Sequence, residues 1–152
     1  MTPFWYLLAF IVGLCVAIQP PTNAIAARLA GVGPMLIVTN TLVLLGAIVL
    51  YFVWPEKSSW QNVTSVPVRY WLGALYGLTI VVGGMLVFPK IGATTALGLI
   101  LLGQFLLGAM IEHNGWLGIP RSPVDLTKVI GIGLMMLGFA VTQAKAFLPG
   151  GE

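Results

Sequence analysis

The chain has 152 residues, 59% hydrophobic and 7% charged, with 7 Lys and Arg against 4 Asp and Glu and a single His. That leaves no room for a soluble globular domain, and a net charge of +3 spread over scattered sites reads as interfacial anchoring rather than a nucleic-acid surface. One cysteine, Cys15, excludes both a disulfide framework and a cysteine metal cluster, so neither a metal nor a cofactor is expected.

The charges stand between long apolar blocks: Met1 to Ala27, Leu29 to Pro55, Tyr70 to Pro89, Ile91 to Ile111 and Val129 to Ala144. A hydrocarbon core of about 30 Å takes about 20 helical residues, because in lipid every backbone amide must be satisfied within its own segment. The blocks therefore predict an all-α integral membrane protein with five transmembrane helices, at about 3-23, 33-54, 67-88, 91-112 and 126-147. Together they form a single five-helix transmembrane domain over 1-152. The last block would give roughly 24 Å of helix, which Lys128 and Lys145 can extend by snorkelling.

No Lys or Arg precedes the apolar run Phe4 to Ile18, so the charged region of a signal peptide is missing and the first block reads as a retained helix. It begins near Pro3, with Phe4-Trp5-Tyr6 suited to a headgroup interface. Pro20 and Pro21 lack amide hydrogens, which deprives the carbonyls of Val16 and Ala17 of partners and predicts that the helix kinks or breaks there. Gln19 and Asn23 lie four apart on one face, one turn after Cys15. Two readings are open for them: polar contacts in a substrate cavity lined by a broken helix, or an interfacial connection after a helix that ends at Gln19.

Helix two runs from Gly33-Pro34 to Trp54-Pro55 with Thr39-Asn40-Thr41 as its polar cluster, and a polar loop, Glu56 to Val66, follows. Helix three, from Pro67 to Phe88-Pro89, carries Gly73 and Gly77 at the spacing of helix-packing glycines. Of the aromatic residues Trp5, Tyr6, Tyr70, Trp71 and Tyr76, only Tyr76 lies deep enough in a span to be offered as a substrate contact through its ring face. The others read as belt residues.

Helix four has small residues at Gly98, Gly103 and Gly108, where a neighbouring backbone can come close. Gln104, Gly108 and Glu112 form a row four apart. Gln104 falls near the midplane, where an amide serves either a substrate or a structural interhelical bond. Glu112 is the only acid attached to a predicted span and precedes His113. Turned inward it is a candidate for proton coupling; left at the helix end it is one half of a solvated pair. The loop His113 to Pro123 leads into helix five, which extends to about Phe147.

An odd number of spans puts Lys57, Arg69, Arg121 and Lys128 on one side and Arg28, Lys90 and Lys145 on the other. Near-balance of Lys and Arg permits insertion both ways, and two oppositely inserted copies can pair as an antiparallel homodimer. The alternative is one orientation fixed by the first helix or by a cellular partner. Arg28 and Lys90, on one side, either draw an anion or anchor helix ends to lipid phosphates.

The succession Gln19-Pro20, Asn23, Arg28-Leu29 and Gly31, then Gly92-Ala93, Gly103-Gln104, Glu112-His113, Gly115, Gly118 and Pro120, resembles the YdcZ-like branch of the drug/metabolite transporter (DMT) superfamily over roughly Ile11 to Leu148. Pro21 stands where that pattern has Gly, and Glu112 where it has Asp. The resemblance implies a multi-pass subunit of the bacterial inner (plasma) membrane and half of an inverted-repeat ten-helix transporter fold. The chain shows no HExxH or GxSxG run and no second His, so it is not expected to be an enzyme. A channel would show a ring of repeated polar residues, which no one helix carries. The reading is a small-molecule secondary transporter subunit working by alternating access as a homodimer, antiparallel favoured, with bilayer lipid and a small-molecule substrate as its partners. A non-transporting assembly or regulatory subunit is the second reading.

Overall fold

The computed structural model describes residues 3–53 and 60–144. Trp54-Pro55, Lys57, Lys145 and the extension of helix five to Phe147 lie outside the described residues. Helices α1 (Pro3–Ala30), α2 (Val32–Val53), α3 (Trp60–Val63), α4 (Leu72–Ile91), α5 (Ala93–Asn114) and α6 (Leu126–Gln143) follow in chain order, with 3-10 turns at Val68–Trp71 and Trp116–Gly118. All except α3 are long and apolar enough to cross a membrane, α4 together with its leading 3-10 turn. There are no strands among the described residues.

In α2 the consecutive residues Leu42, Val43, Leu44 and Leu45 are each more than half exposed. Four successive positions circle the helix, so it is apolar all round, and lipid is the solvent that suits it. Three polar side chains in the spans are bonded within their own helix. Thr22 donates to the Ile18 carbonyl (2.8 Å), Asn40 to that of Leu36 (2.7 Å) and Thr79 to that of Leu75 (2.9 Å). Such bonds meet the demand of hydrocarbon without a neighbour, which accounts for Asn40 in the polar cluster of α2.

The chain divides into two compact units, Met1–Lys90 and Ile91–Glu152. In the first, α1 corrects the expected break: it is helical through Pro20 and Pro21 and ends only at Ala30. Two prolines remove two hydrogen bonds, whereas stopping there would expose the backbone of the remaining turns to hydrocarbon, so continuing the helix is the cheaper course. At roughly 42 Å, α1 exceeds the hydrocarbon thickness and must tilt or project. Pro20, Ala24 and Ala27 share one buried face of α1, and a Cβ on Gly84 of α4 would lie 2.9 Å from the Cβ of Pro20. Pro20 is thus a packing residue. The turn into α2 is Gly31 alone, at φ +91 with its amide on the Ala27 carbonyl at 2.9 Å, a backbone state that side-chain-bearing residues rarely adopt.

The second unit is a helical hairpin, α5 against α6. The ring of Phe139 sits against Gly98, where a Cβ would collide with it. Nearby the Thr95 hydroxyl donates to Gln143 Oε1 across the hairpin (2.9 Å). Ala96 is buried beside them. At the opposite end Glu112 and Lys128 are ion-paired (2.8 Å). Polar contacts at both ends and a ring-on-glycine contact near one of them set the register of the two helices.

Candidate functional site

The connector between α5 and α6 places the charges of the second unit. Helix α5 ends in a left-handed cap at Gly115 (φ +67), whose amide reaches the Glu112 carbonyl. The chain then reverses through Leu117 (φ +58) and Gly118 (φ +76). Leu117 is the sole residue other than glycine with positive φ among the described residues. The Ser122 amide returns to the Glu112 carbonyl (2.9 Å), Arg121 Nε donates to the His113 carbonyl (3.0 Å), and the Val124 amide donates to His113 Nδ1 (3.1 Å). His113 therefore fastens the connector to the end of α5. Asp125 caps α6 by accepting from the Lys128 amide at 2.8 Å, which fixes where the lysine side chain begins.

That side chain turns to three acceptors: Glu112 Oε2 (2.8 Å), Ser122 Oγ (2.8 Å) and the Ser122 carbonyl (3.3 Å). An ammonium has three protons to donate, and all three are engaged. Glu112 keeps 46% of its side chain exposed and Lys128 29%. The pair is therefore partly exposed and contributes at most about 1 kcal/mol to stability.

From this pair a groove of about 570 Å³ runs between the helices, lined by Gln104, Phe105, Gly108, Ala109, Glu112 and Lys128 together with Gly131, Ile132 and Met135. Its size lies in the range of small-molecule sites, about 300–1,000 Å³, and its make-up follows their pattern of apolar walls with a few placed polar groups. Gln104 and Glu112 are two helical repeats apart, so an amide and a carboxylate stand about 12 Å from one another along α5. Between them the small residues Gly108, Ala109 and Gly131 open the floor, and Phe105, Ile132 and Met135 supply apolar contact.

Of the residues singled out in the sequence, the groove gathers Gln104, Gly108 and Glu112. Gln19, Asn23 and Tyr76 belong to the first unit and do not line it. Gln19 and Tyr76 are exposed and Asn23 is half-buried, and neither amide of α1 makes a side-chain hydrogen bond among the described residues. A Cβ at Gly73, Gly77, Gly103 or Gly108 would meet nothing within 4 Å. The packing expected of these four has no counterpart within their own unit among the described residues, whereas Gly98 meets Phe139 of its unit. Lys128, in sequence a snorkelling anchor, lines the groove as well, and Phe105, Ala109, Gly131, Ile132 and Met135 join it with no signal in the sequence pattern. An acid closing one span and a base opening the next was the signal that could have found the pair.

The sequence matches the family model DMT_YdcZ, described as "Putative inner membrane exporter, YdcZ", over residues 4–141. No curated protein and no solved structure matches the chain. The match covers all but short stretches at the two ends, five helices of spanning length accompany it, and the chain belongs to the YdcZ family of inner-membrane, transporter-type proteins.

Proposed function

We propose that the chain is a subunit of a secondary transporter for small molecules that works by alternating access as a homodimer, antiparallel rather than parallel, with residues 1–152 acting as one five-helix transmembrane half. The groove of the α5–α6 hairpin is the observation that carries this reading, since it joins an apolar wall, a mid-span amide and a charged pair in a family of inner-membrane exporters. In this proposal Gln104 contacts the substrate, and Glu112 acts through its pair with Lys128. Gln19, Asn23 and Tyr76 are further candidate contacts on α1 and α4. The glycines with open space at the Cβ position, Gly73 and Gly77 above all, are free to meet a second copy.

Near-balanced Lys and Arg support insertion in both orientations, and inverted pairs of this kind build substrate sites in many transporters. The test is the sidedness of the C-terminus in whole cells. A single cysteine placed after Gly151, in a Cys15→Ala background, is probed with a membrane-impermeant thiol reagent before and after permeabilisation. About half should label from outside if the two orientations are equally populated. Labelling from one side only would contradict the antiparallel homodimer.

A further inference from the structure

The two charges of the groove are unequally used. All three protons of the Lys128 ammonium are engaged, on Glu112 and on both oxygens of Ser122. On Glu112 only Oε2 is engaged; among the described residues Oε1 has no partner. An arriving anion therefore finds no free donor on Lys128, whereas an arriving N–H donor can take the place that Lys128 alone holds on the Glu112 carboxylate, at the end of an apolar groove. Lys128 can also withdraw from Glu112 and keep both Ser122 acceptors, and its own backbone is held by the Asp125 cap whichever partner its ammonium takes. Glu112 has no second cation to turn to among the groove-lining residues.

We infer that Lys128 is a tethered occupant of the Glu112 carboxylate, and that the groove takes an amphiphilic cation bearing N–H groups, whose ammonium replaces that of Lys128. This rests on reading the groove as a substrate site. The apolar body of such a ligand lies along Phe105, Ala109, Ile132 and Met135, and a polar group about 12 Å from the ammonium reaches Gln104. A quaternary ammonium has charge but no proton to donate, so it gains less from Glu112. Lys128 is a specificity residue in this scheme: it keeps the carboxylate occupied when the groove is empty, and an entering ligand must outbid it.

The test is equilibrium dialysis of labelled octylamine, octyltrimethylammonium and octanoate against the full chain in lipid nanodiscs at one fixed pH, with empty nanodiscs subtracted. Wild type should bind octylamine saturably and more tightly than the other two. Lys128→Gln, which removes the competitor, should bind octylamine about fivefold more tightly, the factor that a partly exposed ion pair is worth. Glu112→Gln should lose at least about tenfold, as expected when a charge-assisted bond is removed. Weaker octylamine binding in Lys128→Gln, indifference to both substitutions, or a preference for octanoate would overturn the inference. Should either variant fail to fold, as read by helical circular dichroism, the order of the three probes on wild type decides. Transport is read separately as counterflow of labelled octylamine in proteoliposomes. The predicted binding pattern without counterflow removes the transport reading and leaves the ligand class standing; counterflow of octanoate in place of octylamine removes the ligand class and leaves transport.

Discussion

The two units of this chain solve the same problem, holding apolar helices together in lipid, by different means. In the first, α1 and α4 meet through close apolar contact: Pro20 against Gly84, with Ala24, Ala27, Met85 and Phe88 buried. In the second, α5 and α6 add polar ties near their ends to the contact of Phe139 on Gly98, and the groove lies beyond that contact, running from Gln104 to the Glu112–Lys128 pair. In lipid there is no hydrophobic drive between helices, so either tight van der Waals packing or interhelical polar contact must supply the attraction. Where two helices touch this closely, as at Pro20 and Gly84, there is little space to offer. A pair pinned near its ends can keep a cavity between the pins, and that is where we propose a ligand binds.

The sharpest way to break this contrast is at the glycine contacts. Gly98→Leu places a side chain where the Phe139 ring now sits, and should cost about 3 kcal/mol, the upper range of overpacking. Reversible unfolding of the purified protein in mixed micelles would measure it, and adding Phe139→Ala should recover part of the loss. Gly84→Ala brings a methyl 2.9 Å from the Pro20 Cβ and should cost about 1–2 kcal/mol in the same assay. Gly77→Ala, facing open space, should leave the chain's own unfolding within about 0.5 kcal/mol. Equal effects at Gly84 and Gly77 would remove the packed face from the account. Thr95→Val, which deletes the bond to Gln143, should cost less than either packed glycine, about 0.6 kcal/mol, the average for interhelical bonds in a membrane.

The five spans were legible because charges mark the ends of apolar blocks, and lipid imposes a fixed length on what lies between them. Where helices end was less legible. The rule that prolines break helices is calibrated in water; at Pro20 and Pro21 the surrounding hydrocarbon makes a continued helix the lesser cost, and α1 runs on to Ala30. In the groove, Gln104, Gly108 and Glu112 could be found from local spacing, since residues four apart share a face whatever the tertiary fold. Lys128 could not be found that way. It meets Glu112 only because Gly115, Leu117 and Gly118 reverse the chain with positive φ, and because His113 and Ser122 tie the connector down. The sequence shows those glycines without showing which acceptors the closed loop will present. Gly98 differs from Gly103 and Gly108 for a similar reason: only its partner Phe139, far along the chain, singles it out.

The central claim, an open ligand groove on α5 and α6 in contrast to a packed face on α1, can be tested with two cysteines. Ala109→Cys, in the groove, and Ala24→Cys, on the buried face of α1, would each be placed in a Cys15→Ser background. Their labelling rates with a small hydrophilic methanethiosulfonate would then be compared in native membranes. Thiol modification needs a thiolate in contact with water, so position 109 should react at least about tenfold faster than position 24. Equal rates, or an inert position 109, would mean that the groove is closed in the membrane and would contradict the account.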